Sequence, residues 1–273
     1  MQIAGKVFVV TGGGNGIGRA VVLDLLERGA RVAALDLSAE GLTQTAALAG
    51  ARGRLTTHVV DIADRAAVEA LPAAVVAAHG HVDGVLNVAG IIQPFVPVVD
   101  LDYAAMEKVM DVNFWGVVHV SRTFLPHLLT RPEAALVNVA SMGGFTPVPG
   151  QSVYGASKAA VKLFTEGLYA ELRETPVAVT IVFPGAIATN ITGNSGVSTG
   201  GDASSSAAAG KITSAGDAAA QILAAMEKGA YRATVGPDAR MLDRLSRLMP
   251  RRTTELIARK MASLVKPAAP ART

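Results

Sequence analysis

An α/β architecture is what this sequence predicts: a doubly wound parallel sheet of about seven strands, helices on both faces and a helical tail at the end. Three observations carry that expectation. Short β-rich runs alternate with longer helical patterns up to residue 235. The short runs are continuously apolar rather than alternating, as strands covered on both faces require. A glycine-rich turn joins the first run to the first helical pattern, the context in which parallel sheets hold a dinucleotide.

Each element has its own warrant. The first strand is 6–11 (KVFVVT), followed by a helix at 17–28. The second strand, 31–36 (RVAALD), leads to a helix at 39–48 that Ser38 is placed to cap. The third strand is 55–61 (LTTHVVD), with a helix at 65–78, and the fourth is 82–88 (VDGVLNV). The helical pattern at 102–130 is long enough to expect two pieces. The fifth strand is 134–140 (AALVNVA), the next helix 152–173, and the sixth strand 177–183 (VAVTIVF). A last helix at 215–228 opens with Ser214-Ala215-Gly216-Asp217, similar to a capping box, and precedes a strand at 231–235 (YRATV).

Two segments depart from this rhythm. Residues 192–210 (TGNSGVSTGGDASSSAAAG) lack apolar anchors and exceed a simple connector, so a flexible substrate lid is expected. Residues 238–273 regain helical periodicity through Met241, Leu242, Leu245, Leu248 and Met249, interrupted by Pro250. The chain therefore divides into a dinucleotide-binding and catalytic domain, 1–237, and a basic helical tail, 238–273. The tail is expected to pack on the domain or on a neighbouring subunit. Contact with an anionic membrane surface is the weakest of the three readings, because Pro250 breaks a continuous surface helix.

Composition excludes whole classes. Of 273 residues, 50% are hydrophobic and 17% charged, the reverse of a disordered chain. With no cysteine there is no disulfide, thiolate metal site or cysteine nucleophile. No apolar run approaches the length of a membrane span, and Met1 runs into a strand without a signal-peptide pattern. A soluble cytoplasmic protein is the expectation. The net charge of +3 is uneven: residues 238–273 hold nine Lys/Arg and three acids, leaving a mildly acidic body. A nucleic-acid binder would spread its basic charge over the fold, so none is expected as partner.

The candidate site is read strand end by strand end. After the first strand comes Thr11-Gly12-Gly13-Gly14-Asn15-Gly16-Ile17-Gly18. Gly12 would permit the tight turn, Gly16 the approach of backbone N–H groups to a pyrophosphate, and Gly18 the packing of helix on sheet. Asn15 and Ile17 belong to the same candidate cradle. Asp36 ends the second strand, where a carboxylate can bind both ribose hydroxyls of NAD and repel the 2′-phosphate of NADP. NAD is therefore the expected cofactor. Asp61 and Ile62 fall where the adenine edge would lie. Asn87, Ala89 and Gly90 form a thin wall after the fourth strand. Ser141 ends the fifth strand, and Tyr154 and Lys158 stand on one helical face at i, i+4. A nearby ammonium favours tyrosinate, which is expected to draw the Tyr154 pKa down toward a working base or acid. Pro184-Gly185-Ala186-Ile187-Ala188-Thr189 ends the sixth strand, and this corner, with Ile187 and Thr189, could wrap a nicotinamide carboxamide.

With these residues in view, the chain resembles the short-chain dehydrogenase/reductase family, in its smaller single-domain, Rossmann-type branch. The family's TGxxxGxG pattern falls on Thr11, Gly12, Gly16 and Gly18. Its serine and Tyr-x3-Lys fall on Ser141, Tyr154 and Lys158, its helix asparagine on Asn113, and its PGxxxT corner on Pro184, Gly185 and Thr189. Its NNAG element appears as Asn87-Val88-Ala89-Gly90, with Val88 replacing the second asparagine. The resemblance covers roughly residues 3–236. It implies hydride transfer between nicotinamide and the carbinol carbon of a small alcohol or ketone. Tyr154 would then be the general acid/base and Ser141 the holder of the substrate oxygen. Lys158 would lower the Tyr154 pKa and bind the ribose, and Asn113 would anchor a water in a proton relay. The resemblance also implies a homodimer or homotetramer built through the helices near 102–130 and 152–173.

Other signals carry less. His79-Gly80-His81 reads as a helix end, not a metal pair, so no metal is expected. Asp100 and Asp102 read as helix caps, and Tyr169 with Arg173 as a surface pair. Ile91, Ile92, Pro94, Phe95, Phe145, Val148 and Pro149 could line an apolar pocket for a steroid- or lipid-like alcohol, or simply pack in the core. A non-catalytic NAD-binding scaffold or sensor is an alternative, though its usual sign, a lost Tyr or Lys, is absent. An acyl-carrier ketoreductase using NADPH is opposed by Asp36. A sugar-nucleotide epimerase of the longer branch is opposed by the glycine spacing.

Overall fold

The computed structural model describes residues 1–50, 53–196 and 212–262. The expected lid lies outside the described residues from 197 to 210, as does the tail beyond 262. The strands are β1 (Val7–Thr11), β2 (Arg31–Asp36), β3 (Leu55–Val59), β4 (Gly84–Asn87), β5 (Ala134–Val139), β6 (Val177–Pro184), β7 (Ile187–Ala188), β8 (Thr213–Ser214) and β9 (Arg232–Val235). Seven of them form one sheet in the order β3-β2-β1-β4-β5-β6-β9, every neighbouring pair parallel. The order reverses between β1 and β4, and a ligand crevice belongs at the carboxyl ends of those two strands. The short pair β7–β8 is separate and gave no signal in the sequence.

The helices are α1 (Gly16–Glu27), α2 (Ala39–Ala49), α3 (Arg65–His79), α4 (Tyr103–Met110), α5 (Gly116–Leu129), α6 (Ser152–Glu171), α7 (Ile191–Asn194), α8 (Ala215–Glu227), α9 (Pro237–Leu248) and α10 (Pro250–Lys260). One face of the sheet is covered by α1 and α8 through Val21, Val22, Leu25, Ile222 and Leu223. The other is covered by α3 and α5 through Val68, Val75, Val120 and Phe124. The inner strands β1, β4 and β5 are buried on both faces, which is why their sequences run apolar without alternation, whereas the edge strands β3 and β9 are only partly buried.

The expected caps form at Ser38 and Ser214, whose hydroxyls each accept from a backbone N–H at 3.0 Å. Asp102 caps α4, but Asp100 does not act as a cap and ends the single turn Val98–Asp100. The long helical pattern does divide. Between α4 and α5 lies a π-helical turn, Asp111–Trp115, holding the buried Asn113. β4 is shorter than expected because the N–H groups of Val88 and Ala89 leave the ladder and donate to Thr11 Oγ1, at 3.0 and 3.1 Å.

At the amino edge of the sheet Asp83 is fully buried. It accepts from Val7 N at 2.9 Å and pairs with Arg131 at 2.9 Å and His81 at 3.0 Å. The sequence reading gave the histidine pair no carboxylate neighbour; Asp83 is one, but these partners already occupy it. His79 is buried, its Nε2 2.8 Å from Thr56 Oγ1. Among the described residues no cluster of His, Cys, Asp and Glu could hold a metal ion.

In the tail, Pro250 starts α10 and separates it from α9. Leu242 on α9 and Ile257 on α10 are buried. Asp243 on α9 pairs at 2.5 Å with Arg232 on β9, and the Arg232 guanidinium lies 4.1 Å from the Phe183 ring centroid. Tyr169 packs against Tyr231 in a tilted pair, centroids 4.5 Å apart. No helix among the described residues is long and apolar enough to cross a membrane.

Candidate active site

The glycine turn is built as its residue types demand. Gly12 has φ +72°, a conformation side chains rarely adopt. A Cβ on Gly18 would overlap the carbonyl oxygen of Gly12, so α1 can pack this close only with glycine there. Asn15 caps α1, its Oδ1 accepting from Gly16 N at 2.7 Å. The positive end of the α1 dipole therefore opens at the crevice, which suits an anion.

Three other strand ends converge on this turn. A Cβ on Gly12 would lie 3.0 Å from the Cα of Ala89, just after β4. Asp36, ending β2, accepts from Gly14 N at 2.8 Å and from Ser38 N at 2.9 Å. Thr189, after β7, reaches within 3.3 Å of where a Gly16 Cβ would be. The turn is thus ringed by the positions expected to hold phosphate, ribose and carboxamide, and a dinucleotide fits this set of residues. Pro184 is buried at the end of β6, while Gly185 and Ile187 are partly exposed.

Beside the turn stands the second cluster. Tyr154 and Lys158 lie on the first turns of α6, and the Tyr154 hydroxyl is hydrogen-bonded to Ser141. Ser141 Oγ also accepts from Gly143 N at 3.0 Å. Lys158 is buried and donates from Nζ to Val139 O at 3.2 Å. A Cβ on Gly90 would lie 3.0 Å from that Nζ and 3.2 Å from Asn113 Oδ1. Gly90 is therefore a small wall that leaves room for both side chains.

Burial dominates the electrostatics. It pushes the Tyr154 phenol above its usual value, against the Ser141 hydrogen bond that lowers it. It brings Lys158 down to about 8. The expected downward pull on Tyr154 is thus not met in this state, because desolvation outweighs the favourable contacts.

Several expected residues turn elsewhere. Asn87 is buried, its Nδ2 donating to Ser121 Oγ at 3.0 Å and Asn138 Oδ1 at 2.8 Å, so the side chain ties β4 to its neighbours. Ile62 is buried against Gly116 of α5. Asp61 is exposed and accepts from Ala63 N at 2.9 Å. Asn113 commits its side chain to Ile91, accepting from N at 2.8 Å and donating to O at 2.9 Å, and to Ser157 Oγ at 3.0 Å. These contacts clamp the loop after β4 to α6.

Sequence reasoning missed Gln93. It is fully buried; its Oε1 accepts from Tyr154 N at 2.8 Å, and its Nε2 donates to Gly150 O at 2.9 Å. A lone amide inside the apolar run Ile91-Ile92-Gln93-Pro94-Phe95 was the available signal. Arg19 was also missed: its guanidinium binds Gly14 O, Thr45 Oγ1 and Gln44 Oε1, bracing the turn from behind. Of the apolar candidates, Phe145 and Val148 line a cleft of about 340 Å³ along Gly155 and Ala159 of α6, whereas Ile92 is buried.

A parallel sheet of this order, with a glycine cradle at its switch point and a Ser–Tyr–Lys cluster beside it, defines a nucleotide-dependent oxidoreductase. The chain belongs to the short chain dehydrogenase family, whose model matches residues 6–198. It is 40% identical over 266 residues to SadH of Mycobacterium tuberculosis, described as an oxidoreductase, covering 94% of this chain and 96% of that one. It is 38% identical over 196 residues to 1-deoxy-11-beta-hydroxypentalenate dehydrogenase of Streptomyces avermitilis, covering 70% and 72%. Among solved structures, a short chain dehydrogenase/reductase from Burkholderia phymatum in complex with NAD matches at TM-score 0.81 and 26% identity, covering 100% of both chains. One from Burkholderia cenocepacia in complex with NADP matches at TM-score 0.79 and 28% identity, covering 94% of this chain and 99% of that one. The protein is accordingly an oxidoreductase of CH–OH-type groups that works on small molecules with a nicotinamide cofactor.

Proposed function

We propose that the protein is an NAD-dependent dehydrogenase/reductase of a hydrophobic secondary alcohol and its ketone. The observation that carries the reading is the Tyr154 hydroxyl bonded to Ser141, one helical turn from Lys158 and next to the glycine cradle. The cofactor, when bound, supplies the acceptor or donor of a hydride. Ser141 Oγ holds the substrate oxygen against the Tyr154 hydroxyl. In the oxidative direction Tyr154 accepts the alcohol proton as the carbinol C–H bond breaks and the C=O bond forms; in reduction it returns that proton. Lys158, with a pKa of about 8, is still mainly protonated at neutral pH, and its charge favours tyrosinate once the two groups share a ligand. Lys158 and the turn 12–18 would hold the ribose and pyrophosphate, and Ile187 and Thr189 the carboxamide. Asn113 acts by fixing the loop after β4.

The preference for NAD rests on Asp36. Its carboxylate is pinned by two backbone N–H groups at the rim of the cradle, where a 2′-phosphate would meet negative charge. The nearby cation, Arg19, is engaged by Gly14 O of the turn and by Thr45 and Gln44 of α2. In Asp36→Ala the ratio of NAD to NADP affinity should collapse toward unity; equal affinities in the wild type would remove the claim.

The deciding experiment is a panel of secondary alcohols followed by NADH absorbance, with Tyr154→Phe as control. Turnover should fall about a thousandfold or more in the mutant while cofactor affinity holds. Residual turnover near wild type would assign the base elsewhere. Tight NAD binding with no turnover on any alcohol or ketone would favour a sensor.

A further inference from the structure

The corner expected to hold the carboxamide is not supported by its own strand alone. β6 ends at Pro184, and the next N–H groups must find partners outside the ladder. Gly185 N donates to Val235 O at 2.9 Å. Ala186 N donates to Asp238 Oδ2 at 2.7 Å. Asp238 lies in the first turn of α9, beyond the strand that closes the sheet and beyond the span of the family model. A Cβ on Gly185 would overlap the Asp238 carboxylate, so glycine there also makes room for this side chain. Gly236, at φ +93°, turns the chain so that α9 begins beside the corner. On the far side, Ala186 O accepts from Thr213 N at 3.3 Å. Ala186 is thus gripped at both its N–H and its carbonyl, one residue before Ile187.

We propose that Asp238 is a positioning residue for the nicotinamide half of the cofactor site. It fixes the 185–188 backbone through the Ala186 amide, so that Ile187 and Thr189 are presented to the carboxamide. The inference rests on the dinucleotide reading above. It gives the tail a second task besides covering the edge of the sheet: α9 carries the carboxylate that sets the corner. The hydrogen bond is charge-assisted and backbone-directed, the kind that fixes a loop geometry most firmly.

The test separates the two halves of the cofactor. Binding of NAD and of ADP-ribose, which lacks nicotinamide, is measured calorimetrically on full-length wild type, Asp238→Ala and Asp238→Asn. Asp238→Ala should weaken NAD about three- to tenfold and leave ADP-ribose within about twofold. Asp238→Asn, which keeps an acceptor oxygen, should recover most of the NAD affinity. Equal weakening of both ligands, or of neither, would overturn the assignment. Should Asp238→Ala melt below the assay temperature, hydrogen exchange at the Ala186 amide of the wild type decides. Strong protection without cofactor supports the clamp, and rapid exchange refutes it. If wild type binds ADP-ribose but no nicotinamide dinucleotide, the cofactor reading itself falls, an outcome distinct from wild type and Asp238→Ala binding NAD alike.

Discussion

Lys158 would titrate at 10.5 in the open chain, but burial brings it to about 8 in the fold. The gap corresponds to about 3 kcal/mol set against the folded state wherever both forms are protonated. The sign follows from proton counting. Between pH 8 and 10.5 the unfolded chain keeps a proton that the fold has shed, so stability rises with pH across that window. Tyr154 acts oppositely, since its raised pKa keeps the folded phenol protonated while the unfolded one ionises, but only above pH 10. Urea midpoints of the cofactor-free protein should therefore climb from pH 8 to 10, and Lys158→Met should flatten the climb while raising the value at pH 7. A flat wild-type profile would mean that the ammonium is solvated. Such a residue is retained at a site because the chemistry needs it, not because the fold does.

How much was legible in the sequence differs from element to element, for physical reasons. The turn 12–18 could be read because its steric demands are met by one residue type. The strands could be read because a sheet covered on both faces needs unbroken apolar runs. Tyr154 and Lys158 could be paired because a helix fixes which residues share a face. Strand ends were harder: β4 stops at Asn87 because the Thr11 hydroxyl takes the next two N–H groups, a competition between residues 77 and 78 positions apart. The side-chain partners of Asn87, Ser121 and Asn138, lie in other elements, so its direction was not legible in the local pattern. Gln93 and Asp238 act on Tyr154 and Ala186 across 61 and 52 positions; the apolar run around Gln93 marks the residue, but no local pattern names the distant partner of either. The π-helical turn at Asp111–Trp115 is of the same kind, since it shows itself only in the backbone.

The molecule as a whole leaves apolar side chains in water on the helices that flank the site: Tyr103 is 77% exposed, Trp115 49% and Leu163 69%. These lie on α4, the π-helical turn and α6, the region through which the family resemblance implies self-association. Light scattering should give the mass of a dimer or tetramer, and Leu163→Arg should shift it toward the monomer at micromolar concentration. An unchanged mass in the mutant would place the contact on another face. All seven strands of the main sheet run the same way, so the two rims of the sheet have different duties. Every candidate ligand group sits at the carboxyl rim, while the opposite rim is held by Asp83 together with Lys6, His81 and Arg131. Heat resistance and turnover can therefore be engineered on separate ends of one body. Substitutions that reinforce the Asp83 end should harden the enzyme while leaving the choice of alcohol untouched.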